Sequence, residues 1–310
     1  MIKVNRSFIC LALALTVTAC GPSEGPVVNA EVERALPIVL ATNYPLAFMA
    51  ERLAGEFADV NYPGPVDIDP ATWQPDRDML RRFQEADLIL LNGPAYSPWI
   101  QTLSLPLAQT IDTTEGFRDR WIERADVSLH SHGPEGASSH GHLAFTTWLD
   151  PALAIEQSAA ITSALIRLSP ANQDFFSEQL RHLTDELKSL DDEFLSLAHL
   201  DLDRPLLASH PVYDYLARKL SLNLRSVHFE PDQLPSTENW LELDKILFEH
   251  PARVMIWEDT PLPETVRQLA DRGLECFTVS PAAAGAGSSN FLEIMVQNAR
   301  HLKEALTGPR

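Results

Sequence analysis

The sequence predicts an α/β fold of two lobes, each with a mainly parallel sheet flanked by helices, joined by one long spine helix. Three observations carry this. Short apolar runs alternate with helical patterns up to residue 93, the same alternation returns from residue 204, and one continuous apolar stripe at helical spacing lies between them.

In the first third, residues 37–42 (Pro-Ile-Val-Leu-Ala-Thr) read as a buried strand and residues 44–55 as a helix ending near Gly55. Residues 60–63 form a weaker strand, 75–86 a helix and 87–92 (Asp-Leu-Ile-Leu-Leu-Asn) a strongly apolar strand closed by Gly93. Strands that alternate with helices and lack inside-outside alternation belong in a parallel sheet covered on both faces. In the last third the strands fall at 204–209, 224–229, 253–257 and 275–279. The helices there fall at 212–221, 236–250 with Ser236 as cap, 263–272 and 290–306. Between the two sets, Ser169-Pro170 reads as an N-cap followed by proline, opening a spine helix over about 170–199. Phe176, Leu180, Leu183, Leu187, Leu190, Phe194 and Leu197 recur at spacings of three and four, which puts them on one face. A partner coiled coil would use such a stripe; packing along both lobes of the same chain is the preferred reading.

The chain starts with Lys3 and Arg6, an apolar run over residues 8–17 too short to span a membrane, and then Val17-Thr18-Ala19-Cys20. That order resembles a bacterial lipobox, with residues 1–19 as signal peptide and Cys20 as the lipidated residue of an exported, periplasmic or cell-surface protein. Residues 20–35 suit a tether. Of the three cysteines, Cys10 leaves with the signal and Cys20 is acylated, so Cys276 has no partner for an internal disulfide. The formal net charge is −19, which repels phosphate backbones and excludes nucleic acid as a partner while favouring cations.

Four of the ten histidines crowd one segment: His130, His132, His140 and His142, with Gly and Ser between them. Pairs two residues apart can share one ion in an extended or turn conformation, which Gly133 and Gly141 permit, so the segment reads as a metal-catching loop. His210 follows the strand at 204–209, at the strand end where ligands collect in open α/β sheets. Glu258 ends the strand at 253–257 in the same topological place, as an oxygen ligand or as the group that orients His210. Glu230 reads as a solvated strand end, His228 as packing, and His182, His199, His250 and His301 as helix-surface or helix-end residues. Trp73, Trp148 and Trp257 read as cleft wall or core. No His-Glu-x-x-His pair, Gly-x-Ser-x-Gly elbow or phosphate-binding glycine loop occurs, which weighs against an enzyme.

Together, the lipobox, Asn43-Tyr-Pro-Leu-Ala, Asp69-Pro70, residues 86–93, the histidine-rich segment, Trp148-Leu-Asp-Pro151, the spine, Ser209-His210 with Tyr215, and Trp257-Glu258 form a recognisable order. It resembles the zinc- and manganese-binding lipoproteins of bacterial ABC importers over roughly residues 36–307. The resemblance implies a first lobe over 36–151, a helical region over 152–200 and a second lobe over 201–310. It further implies a metal ion held between lobes of a lipid-anchored monomer that serves a membrane permease and its cytoplasmic ATPase. The family's histidines follow the Asp-Pro, precede Trp-Leu-Asp-Pro and open the second lobe, and a late Asp often adds a carboxylate. Here Ala71, Thr146 and Ser280 occupy three of those places, and His210 alone stands at the fourth. The expected site is therefore rebuilt from His210, His130, His132, His140 and His142, with Glu258 in support. Imidazole and carboxylate donors without thiolate fit Zn²⁺ and also admit Mn²⁺, Cu²⁺ or Ni²⁺. The alternative is a periplasmic metal buffer, chaperone or interaction protein on the same fold.

Overall fold

The computed structural model describes residues 36–66, 68–93, 96–97, 99–100, 104–124, 129–131, 137–139, 143–285 and 288–308, with the backbone alone for 129–131 and 137–139. The first sheet opens with β1 (Ile38–Ala41), whose buried residues lead into α1 (Tyr44–Ala54). Asn43 caps α1 by accepting a hydrogen bond from the Leu46 amide at 2.9 Å, and Pro45 fits the first turn because its missing N–H has no acceptor there. Gly55 ends the helix at φ 55°, and a Cβ built there would lie 2.6 Å from the Phe175 ring. β2 (Asp59–Asn61), α2 (Arg77–Glu85, capped by Asp76) and β3 (Leu88–Leu91) follow as the sequence predicts. β4 (Thr110–Asp112) does not appear in the sequence reading, because three half-buried residues carry no periodic signal. The sheet is parallel in the order β2-β1-β3-β4.

Beyond it, β5 (Leu129–Ser131) and β6 (Ala137–Ser139) pair antiparallel, and α3 (Pro151–Leu168) starts at Asp150, whose side chain accepts from the Ala152 amide. α4 (Gln173–Leu195) is the spine. Ser169 closes α3 through its amide to the Leu165 carbonyl and so does not cap the spine; Pro170–Asn172 make a 3₁₀ turn, and the spine begins at Gln173. Its 23 residues span about 35 Å.

The second sheet is assembled from β7 (Leu206–Ala208), α5 (Asp214–Leu220), β8 (Leu224–Ser226), α6 (Thr237–Glu249), β9 (Val254–Trp257), α7 (Pro263–Asp271), β10 (Glu275–Thr278) and α8 (Phe291–Thr307). Capping boxes start α6 (Ser236 with Asn239) and α8 (Asn290 with Glu293). The strands run parallel in the order β10-β9-β7-β8, which makes β7 and β9 central. Among the described residues, no helix is long and apolar enough to cross a membrane.

The spine stripe buries Phe176, Leu183, Leu187, Leu190, Phe194 and Leu197 in one core with residues of α1, α3 and α8. The stripe is thus consumed within the chain, by helices from both lobes, and a coiled-coil partner is not needed to cover it. Leu187 is fully buried in that core, so Leu187→Ala is expected to cost about 2–5 kcal/mol, read as a lower urea midpoint at unchanged m-value.

Candidate metal centre

The carboxyl ends of β7, β8 and β9 converge, and each delivers a candidate ligand. β7 runs into Ser209 and His210, and the Ser209 amide donates to the Ile256 carbonyl at 2.9 Å, holding the turn against β9. Beyond the end of β8, the Val227 and Phe229 amides continue the ladder onto the Ala208 and Ser209 carbonyls at 2.9 and 2.8 Å. Val227 and Phe229 are both 2% exposed in a core with Leu243 and Trp257. Side chains of an extended chain alternate, so His228 and Glu230 must face the opposite side, where His210 lies. β9 ends at Trp257, and Glu258 follows.

His210 is only 5% exposed, and its two ring nitrogens meet different carboxylates. Nδ1 lies 3.3 Å from Glu258 Oε1, and Nε2 lies 3.7 Å from Glu230 Oε1. The His228 ring stands edge-on to the His210 ring at 5.5 Å between centroids and 85° between planes. The sequence reading assigned His228 to packing and Glu230 to a solvated strand end; both instead border His210. A period-two pattern was visible at 227–230, but it assigns no side until the core face is known.

Burial is the main reason the Glu258 carboxyl is pushed up to about 8 from its ordinary 4.5; the charges of Asp69, Glu230 and Asp259 add to it. Asp69 belongs to the first lobe, so the two lobes set one electrostatic environment here. Its Oδ1 accepts from the Ala71 amide at 2.9 Å, which orients the carboxylate beside the Ala71 position that lacks a ligand. The same charge acts on the buried Tyr62 and Tyr96 hydroxyls, whose pKa values burial already raises.

The other two substituted positions have structural roles. The Thr146 hydroxyl is buried and donates to the Val212 carbonyl, tying the first lobe to the turn after His210. Ser280 has its amide on Asn298 Oδ1 at 2.9 Å and its carbonyl on Asn298 Nδ2 at 2.6 Å, while its hydroxyl accepts from the Ala282 amide. Trp148, fully buried, donates to the Pro281 carbonyl at 2.7 Å. Trp73 and Trp257 are likewise buried core residues.

Both roots of the histidine-rich segment are fastened beside His210. On the entering side the Arg124 guanidinium, whose side chain is 11% exposed, binds the Asp214 carboxylate and the Pro211 carbonyl. On the leaving side the Ala144 carbonyl accepts from the Tyr215 hydroxyl at 3.3 Å. The roots also close on each other, through a Glu123–Leu143 antiparallel bridge and an Ala144 to Ile122 hydrogen bond of 2.9 Å. Within the segment, His130 lies in β5 opposite Ser138 of β6, so a hairpin stands where the sequence suggested only a loop. His132, His140, His142 and Cys20 lie outside the described residues.

Of the remaining histidines, His182 pairs with Glu178 on the spine surface as expected, whereas the buried His250 and the half-buried His301 bond the Leu206 and Thr278 carbonyls and so tie α6 and α8 to the second sheet. Cys276 lies on β10, with its thiol pushed up to about 11 by burial. Among the described residues, no three His, Cys, Asp or Glu side chains come together as a group that could hold a metal ion. His210 between Glu230 and Glu258 is a fragment of one imidazole flanked by two carboxyl groups.

Comparison with known proteins gives the fragment its context. The family model described as "Zinc-uptake complex component A periplasmic" matches residues 39–305. The high-affinity zinc uptake system protein ZnuA of Bacillus subtilis (strain 168) is 24% identical over 324 residues, covering 98% of each chain. The zinc-binding lipoprotein AdcA of Streptococcus pneumoniae (strain ATCC BAA-255 / R6) is 21% identical over 280 residues, which are 86% of this chain and 55% of that protein. Among solved structures, the metal-dependent lipoprotein YcdH of Bacillus subtilis superposes with TM-score 0.73 at 20% identity, covering 88% of this chain and all (100%) of the other. Zn(II)-bound AdcA of Streptococcus pneumoniae superposes with TM-score 0.75 at 19% identity, over 88% of this chain and 58% of that one. The two-lobe α/β architecture is shared with both. With its model spanning nearly the whole described chain, the protein belongs to the family of periplasmic zinc-uptake complex component A, a family of solute-binding proteins.

Proposed function

We propose that this chain is the substrate-binding lipoprotein of a zinc ABC importer, which captures Zn²⁺ between its lobes and passes it to a membrane permease driven by a cytoplasmic ATPase. The observation that carries the reading is the fastening of both ends of the histidine-rich segment on Pro211, Asp214 and Tyr215, the residues just after His210. A segment rooted there begins and ends next to the one histidine at a family ligand position. His210 contributes one imidazole, and His130, His132, His140 and His142 are the source from which the first lobe supplies others. Glu258, at the Nδ1 edge of His210, orients the ring or adds an oxygen.

The donor set supports zinc: nitrogen and oxygen, with the half-buried Cys276 on the β10 edge strand and β9 between it and β7. The same donors accept Mn²⁺, Cu²⁺ or Ni²⁺, and the relatives named for zinc decide among them. Cys20, in a lipobox-like context, anchors the exported monomer to a membrane. The negative surface suits a cation carrier.

The test is a competition titration of chelator-stripped protein against a chromophoric zinc chelator. One zinc per chain is expected, bound at least about tenfold more tightly than by a variant lacking residues 129–142. Equal affinity of the two proteins, or no binding by either, overturns the proposal. For the transport step, deleting the gene is expected to impair growth under zinc limitation, and unimpaired growth argues for a buffer instead.

A further inference from the structure

We infer that His228 and Glu230 join His210 as direct metal ligands, so that the second lobe alone supplies two imidazoles and a carboxylate to the site. The inference rests on the proposed metal capture and names ligands for it.

The backbone does most of the work. The two hydrogen bonds beyond β8, from Val227 to Ala208 and from Phe229 to Ser209, keep residues 227–229 extended alongside the end of β7. With Val227 and Phe229 committed to the core, His228 and Glu230 have one remaining direction, and it is the His210 side. The outcome is on the page as distances: Glu230 Oε1 at 3.7 Å from His210 Nε2, and the His228 ring at 5.5 Å from the His210 ring. Glu258 meets the opposite edge of the same imidazole, Nδ1, at 3.3 Å. Glu258 thus stands at the Nδ1 edge and leaves the Nε2 edge facing Glu230. Nε2, Glu230 and His228 border the space in which the ion sits.

With three donors from β7 and β8, zinc needs about one more ligand to complete its usual four. Three protein donors with one position left open to water also make a four-coordinate zinc site. These donors do not close on one point without an ion, so ligation requires their side chains to move together.

The inference is tested by zinc competition titration of the full chain carrying His228→Ala, His228→Asn or Glu230→Gln, with His182→Ala on the spine surface as control. The His228 variants and Glu230→Gln are each expected to weaken zinc by about tenfold or more, with the metal-free melting temperature unchanged, and His182→Ala to have no effect. In the cobalt-loaded protein, His228→Ala is expected to shift the visible ligand-field bands, which a packing residue would not do. Wild-type affinity and an unshifted cobalt spectrum in His228→Ala overturn the inference and leave the proposed function standing. Failure of the unsubstituted chain to bind zinc overturns both.

Discussion

Replacing His210 by alanine is expected to weaken zinc binding by at least about 100-fold, a loss of about 2.7 kcal/mol or more in the same competition titration. His210 stands where the resemblance implies a ligand, and it follows the central strand β7 with the Glu230 carboxylate on one side and Glu258 on the other. Without its imidazole, the carboxylates lose the nitrogen that makes the site borderline rather than hard, so discrimination of zinc from magnesium or calcium falls as well. The ring is buried, and its removal leaves a cavity. A circular-dichroism melt of the variant separates a ligand effect from an unfolding one. Affinity within threefold of the unsubstituted protein would place the metal on the histidine-rich segment alone.

The second large effect concerns stability rather than affinity. Glu258 titrates at about 8 in the folded chain and near 4.5 when free, so between those values the folded state holds a proton that the unfolded state has released. Stability of the metal-free protein therefore falls as pH rises from about 4.5 to 8, and the gap, at about 1.36 kcal/mol per pH unit, sets a ceiling of about 5 kcal/mol. The side chain is 21% exposed, so partial hydration keeps the realised value below that ceiling. Glu258→Gln removes the ionisation. The metal-free variant is expected to outlast the parent in urea at pH 8 and to match it near pH 5. A variant whose urea midpoint follows the same pH slope as the parent would show that Glu258 is not the destabilising group. Stability surrendered at one carboxyl for the sake of a bound ion is a common pattern at functional sites.

The sequence was most informative where side-chain pattern and burial coincide. β1, β3, β7 and β9 are continuous apolar runs because parallel strands are covered on both faces, and the spine shows itself through spacings of three and four. Ser169-Pro170 was ambiguous by nature: a Ser-Pro pair can end one helix or begin the next, and here it does the first before a 3₁₀ turn. β4 was hidden because its three residues are only half-buried.

At the site, His210 and Glu258 could be read from strand ends, but His228 and Glu230 could not. Their assignment turns on which face of the chain after β8 meets the core, and only the burial of Val227 and Phe229 decides it. Ala71, Thr146 and Ser280 stand where the resemblance implied ligands. What the last two do instead, Thr146 tying the lobes through Val212 and Ser280 seated on Asn298, depends on contacts 66 and 18 residues away along the chain, beyond the reach of any local pattern.

Zinc K-edge X-ray absorption on the one-to-one complex, with His210→Ala for comparison, tests most directly that the ion sits on His210 among imidazole and carboxylate donors. The expected spectrum has a first shell of nitrogen and oxygen at about 2.0–2.1 Å with multiple scattering from at least two imidazoles, and one imidazole fewer in the variant. A sulfur shell near about 2.3 Å, or imidazole scattering unchanged by His210→Ala, would contradict it.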